Sequence, residues 1–137
     1  MTLDTYTEAE IHQLVHDFYD DIRQHDVLGP IFNKHIQDWD HHLAIMVDFW
    51  SSLLCRSARY SGSPMMKHAR LSELSPELFC AWLAQFEIST ARHPNQQLAR
   101  HAREFSKRIA RSLWMGYQID KNPDQPPREL NCGESCA

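Results

Sequence analysis

Glycine is nearly missing from this sequence, at four residues in 137, and that scarcity argues against a chain built from hairpins and tight turns. The seven prolines fall mostly where helices would begin or stop, so long helices joined by short breaks are expected. No apolar run approaches the roughly 18 residues that a membrane span requires. Met1-Thr2-Leu3-Asp4 also opens the chain without the basic patch and apolar stretch of a secretory signal. A cytoplasmic protein with no membrane partner is the expectation. Basic residues form no stripe, because both signs are spread along a chain of net charge −4. Nucleic acid is therefore a poor partner. The four cysteines lack zinc-ligand spacing. Cys55 and Cys80 each stand alone in a helical stretch and read as core or near-core residues. Cys132 and Cys136 read as part of an unstructured tail, with a redox pair or a metal site as the alternative.

What is present is helical periodicity, in a length that suits one domain. Thr7 and Glu10 make a candidate capping box, followed by Ile11, Leu14, Val15, Phe18, Tyr19 and Ile22 on one face. Leu28-Gly29-Pro30 reads as a break, and Phe32 and Ile36 mark a short connection whose apolar side chains need cover. A second long helix is predicted from an Asp38 cap to about Ser57, with Trp39, His42, Met46, Phe49, Trp50 and Leu53 inward. Tyr60-Ser61-Gly62-Ser63-Pro64 ends it, and Met65 to Leu71 is too short to be stable alone. Ser75-Pro76 starts a third long helix through Phe79, Trp82, Leu83 and Phe86. The last opens near Asn95 and carries Leu98, Ala102, Phe105, Ile109 and Leu113. The reading is an all-α domain over residues 1–118 and a flexible C-terminal tail over 119–137. Periodicity alone does not separate a bundle from a globin-like arrangement.

Polar side chains on apolar faces are the candidate functional signal. Tyr19, His42 and Trp82 continue three different stripes, and a buried hydroxyl, imidazole and indole each require a partner. Taken alone, His42 is more often a satisfied core histidine. His12 and His16, one turn apart, read as a solvated pair rather than a metal site. His25, His35, His93 and His101 read as surface residues. His68 differs by its setting, a short proline-initiated segment with Met65 and Leu71 three residues to either side. One imidazole in a soft apolar shell is what an axial haem ligand needs, although from this segment alone a histidine capping a loop is the favoured reading. The absence of Cys-x-x-Cys-His excludes covalent c-type attachment.

Seven stretches in order give these residues a common meaning. They are Phe18-Tyr19-Asp20-Asp21-Ile22-Arg23, Leu28-Gly29-Pro30-Ile31-Phe32, Trp39-Asp40-His41-His42-Leu43, Met46-Val47-Asp48-Phe49-Trp50-Ser51-Ser52, Arg59-Tyr60-Ser61-Gly62-Ser63-Pro64, His68 with Leu71, and Trp82-Leu83 with Phe86. Together they resemble the group III truncated haemoglobins from about Ile11 to Gly116. The resemblance implies a truncated globin, a two-over-two helical sandwich around non-covalent haem b (iron protoporphyrin IX). It implies His68 as proximal metal ligand, and Tyr19, His42 and Trp82 around a distal site for gaseous ligands. Phe32, Met46, Phe49 and Leu71 are then expected to wall the porphyrin, with Tyr60 as a hydrogen-bond partner for a propionate. The implied function is reversible binding of dioxygen, with nitric oxide, carbon monoxide or peroxide as further ligands. The alternative is an enzyme, a nitric-oxide dioxygenase or peroxidase served by a reductase. A haem-free helical interaction module is the rival from another class. The sequence departs from the family at Cys55-Arg56-Ser57-Ala58, where a glycine-containing stretch is expected.

Overall fold

The structure, a computed structural model, describes residues 6–57, 60, 62 and 74–132. Helix α1, Glu8–Gln24, begins as its sequence dictates. Thr7 Oγ accepts from the Glu10 amide at 3.1 Å, and the Glu10 carboxylate accepts from the Thr7 amide at 2.9 Å, which satisfies two amides the helix cannot pair. The whole predicted stripe from Ile11 to Ile22 is buried. At the other end, His25 Nδ1 accepts from the amides of Val27 and Leu28, both at 3.1 Å, and so turns the chain into the next helix.

That next helix is where the predicted break fails. Leu28-Gly29-Pro30 is the first turn of α2, Leu28–His35. Pro30 costs no hydrogen bond there, because amides in a first turn have no intrahelical acceptor. Gly29 is needed for proximity: a Cβ would stand 2.8 Å from the Arg23 carbonyl oxygen, so α2 lies directly against the end of α1. Helix α3, Trp39–Leu54, starts at the predicted Asp38 cap, whose carboxylate accepts from the His41 amide at 3.1 Å. It stops short of Ser57. Arg56 follows at φ 56°, the left-handed region that glycine enters without strain, at the place where the sequence lacks the expected glycine.

Ser75 caps and Pro76 opens α4, Pro76–Ala91. Asn95 caps α5, Gln96–Lys121, which runs three residues past the predicted boundary at 118. Helix α1 packs on α2, α3 and α4, and α4 packs on α2 and α5. Phe18 sits at the centre of the core, edge-on to Trp82 and Phe86 at 5.4 and 4.8 Å, while Trp50 stacks on Phe86 at 5.3 Å. Each such pair adds about 0.5–1.5 kcal/mol beyond its area burial.

Two expectations need correction. His93 is not a surface residue: it is 4% exposed. Its Nδ1 accepts from the Asn95 amide at 2.9 Å, which leaves Nε2 to donate to the Glu10 carbonyl at 3.1 Å. Its neighbours in that group also have structural bonds, since His101 Nδ1 meets the Tyr6 hydroxyl at 2.7 Å. Nor is Cys80 a solitary near-core thiol or Cys132 a partner of Cys136. Cys80 and Cys132 form a disulfide, and Cys136 lies outside the described residues. The half-buried Cys55 thiol donates to the Tyr6 carbonyl at 3.2 Å.

Candidate functional site

Among the described residues, five helices surround an apolar cavity of about 360 Å³. Helix α1 contributes Tyr19 from the inward end of its stripe. Helix α2 contributes Phe32, α3 contributes His42, Met46 and Phe49, and α4 contributes Trp82. Tyr60 reaches the same space from the connection after α3. Seven of the nine predicted site residues therefore face a single cavity, although they span 64 positions of sequence. The other two, His68 and Leu71, lie outside the described residues.

Tyr19 is buried among aromatic rings, with His42 edge-on at 5.5 Å and Trp39 tilted at 6.0 Å. Burial drives its pKa far above the ordinary phenol value, because a buried phenolate would lose its hydration. The hydroxyl stays protonated at any physiological pH and is a permanent donor. His42 is fixed from its other side by Trp39, whose ring is edge-on at 5.7 Å. Trp39 is itself pinned: its indole donates to Asn33 Oδ1 at 3.0 Å, and the Arg23 guanidinium lies 4.6 Å from its ring centroid. Tyr60 stands edge-on to Phe49 at 5.1 Å, and its amide donates to Ser52 Oγ at 3.0 Å. Partial burial pushes its hydroxyl pKa up as well. Gly62 makes room for that ring, since a Cβ there would collide with the Tyr60 hydroxyl.

Much of the wall was not predicted. Helix α2 supplies Leu28 and Ile31, hidden in sequence because its first turn read as a break. Phe79 from α4 and Ile109, Ala110 and Leu113 from α5 close the opposite side. Phe79, Ile109 and Leu113 were legible as stripe residues, but periodicity does not distinguish a side chain facing a cavity from one facing its neighbour. His35 also reaches the rim.

A cavity with apolar walls and a few polar groups suits a small, largely apolar ligand oriented by those groups. Among the described residues no three His, Cys, Asp or Glu side chains are grouped to hold a bare metal ion. His12 and His16 stack at 3.8 Å beside a separate cleft between α1 and α3 that Asp40 and Asp48 also line. Desolvation, and then the neighbouring His12, lower the His16 pKa, which favours the neutral form of that ring.

No family model matches the chain. The Group 3 truncated hemoglobin ctb of Campylobacter jejuni is 36% identical to it over 93 residues, which span 65% of this chain and 73% of that protein. The chain belongs to the group III truncated haemoglobins. The crystal structure of group III truncated hemoglobin from Campylobacter jejuni superposes with a TM-score of 0.74 at 31% identity, covering 82% of this chain and 92% of that one. The fold is thus a truncated globin, with α1 packed on α3 and α4 packed on α5. In this truncated haemoglobin the cavity lies where those pairs meet α2. Within the described residues, no helix is long and apolar enough to cross a membrane.

Proposed function

We propose that the chain holds haem b non-covalently in this cavity, with His68 as the proximal ligand, and offers the distal side to dioxygen and other diatomic molecules. The observation that carries the reading is the convergence of Tyr19, His42 and Trp82 on one apolar cavity in a member of the truncated haemoglobins. The residues fit the group. Phe32, Met46 and Phe49 give the flat hydrophobic contact that a porphyrin needs, and its burial supplies the main binding force. Tyr60 is the candidate donor to a propionate. Haem, when bound, supplies an iron centre that binds diatomic gases reversibly.

The protein's own part is to select and hold the ligand. Tyr19 cannot ionise at physiological pH, so its hydroxyl donates to a ligand that carries partial negative charge. The Trp82 indole and the His42 imidazole stand on the same cavity and supply two further donors. The apolar wall excludes water, which strengthens each of these hydrogen bonds. A cytoplasmic location belongs to the same reading, and so do nitric oxide, carbon monoxide and peroxide as further ligands.

The test is titration of the apoprotein with haemin, followed by reduction and addition of carbon monoxide. The expected result is one haem per chain, an intense Soret band at about 400 nm, and a carbon-monoxide shift of that band. A chain that stays colourless, or binds haem no better than an unrelated helical protein, contradicts it. Oxidation of nitric oxide or a peroxidase substrate at rates well above those of free haem, with an added reductant, would make the protein an enzyme rather than a carrier.

A further inference from the structure

Residues 122–132, which follow α5, are tied back to the cavity wall. A turn at Asn122, whose carbonyl accepts from the Gln125 amide at 3.1 Å, reverses the chain. The Gln118 side chain then grips the returning backbone in both directions: its amide donates to the Arg128 carbonyl at 2.8 Å, and its carbonyl accepts from the Arg128 amide at 2.9 Å. Leu130 packs on a cluster centred on Phe79, Ala110 and Leu113, which Trp114 and Leu83 also join. Two residues later, Cys132 is bridged to Cys80, the residue after Phe79.

Two features make this arrangement more than a decorated tail. Phe79, Ala110 and Leu113 line the cavity and also form the cluster on which Leu130 packs, so the cavity and the returning segment share these side chains. Beside the bridge, the half-buried Leu130 and the Gln118–Arg128 pair help to hold this segment, most of whose residues are exposed. Both cysteines are only half-buried, which leaves the disulfide open to attack by a thiolate.

We propose that Cys80–Cys132 is a reversible redox site whose disulfide fastens residues 122–132 to the cavity wall and whose reduction loosens that wall. The exchange needs a dithiol reductant, of low molecular weight or protein-borne. One of its thiolates attacks a bridge sulfur, the Cys80–Cys132 bond breaks, and a mixed disulfide forms. The second thiolate then resolves it, so two electrons and two protons pass to Cys80 and Cys132 while the dithiol becomes a disulfide. In a reducing compartment a bridge of this kind forms only under oxidative conditions, and the oxidised protein would hold the contents of its cavity more tightly. This last consequence rests on the haem reading; the loosening of the wall does not.

The experiment compares oxidised protein with protein treated with a phosphine reductant, as apoprotein and after addition of haemin. Peptide mapping of the oxidised form is expected to join Cys80 to Cys132. Reduction is expected to speed amide hydrogen exchange about tenfold near Phe79 and over residues 110–121, with α1 and α3 unchanged, since exchange reports local opening. Haem transfer to an excess of an apoglobin acceptor should accelerate with it. Cys132→Ser should show the fast behaviour from the start and ignore the phosphine. Equal exchange in both redox states, or a bridge that joins Cys132 to another cysteine, overturns the proposal. Failure to bind haem with exchange still redox-dependent would overturn the haem reading alone.

Discussion

Tyr19 shows how the surroundings of one residue fix its chemistry. Its place on the α1 stripe was legible from spacing, and a tyrosine there would ordinarily be a core residue with its hydroxyl turned to a partner. Burial fixes it as a neutral donor on a cavity. Tyr19→Phe is therefore expected to keep the fold and raise the dioxygen dissociation rate about tenfold, the equivalent of losing one hydrogen bond of about 1.4 kcal/mol. Flash photolysis or stopped-flow mixing reads the rate directly, and an unchanged rate removes Tyr19 from the distal role. Arg56 is the converse, a residue whose cost was visible in sequence only as a missing glycine. At φ 56° it pays a left-handed penalty, part of which glycine would return as chain entropy in the unfolded state. Arg56→Gly should stabilise the protein by about 0.5–1 kcal/mol in urea denaturation; a loss of stability would show that the side chain has a role of its own.

Among the described helices, those with chemical caps were legible, whereas α2 was not. Thr7, Asp38, Ser75 and Asn95 each announce a helix by a side-chain oxygen that the structure shows accepting a backbone amide. Helix α2 has no side-chain cap, and its glycine and proline imitate a turn. Only the approach of its backbone to α1 explains Gly29, and no local pattern encodes that contact. Histidines were misread for the same reason: the bonds of His93 and His101 join residues more than 80 positions apart.

The α1 cap also carries a pH dependence. The Thr7 amide, and then the Asn95 side chain, hold the Glu10 carboxyl below its usual value of 4.5. A depressed folded-state pKa gives stability that is complete above the unfolded value and fades as pH falls through the folded one. Glu10→Gln should cost about 0.5 kcal/mol at neutral pH and nothing at pH values below the folded-state pKa. Denaturation curves of the two proteins that stay equally separated from pH 7 to pH 3 would contradict this assignment.

At the scale of the whole molecule, the sequence made the helical class and the family legible, because seven short stretches in a fixed order need no knowledge of packing. The cavity was partly legible: residues that stood out as polar on an apolar face line it, whereas most of its apolar wall was indistinguishable from core. The long-range ties were not legible at all. A bridge between residues 52 positions apart leaves no periodic trace, and a segment with that composition reads as solvent-exposed chain.

The account turns on the proximal imidazole, and the most direct measurement is the absorption spectrum of His68→Gly beside that of the wild type, each reconstituted with haemin and then supplied with free imidazole. The expected result is a wild-type protein with a stable five- or six-coordinate spectrum, and a variant that loses it and regains it as imidazole fills the vacated position. A His68→Gly protein whose ferric, ferrous and carbon-monoxide spectra match the wild type without added imidazole would contradict the assignment.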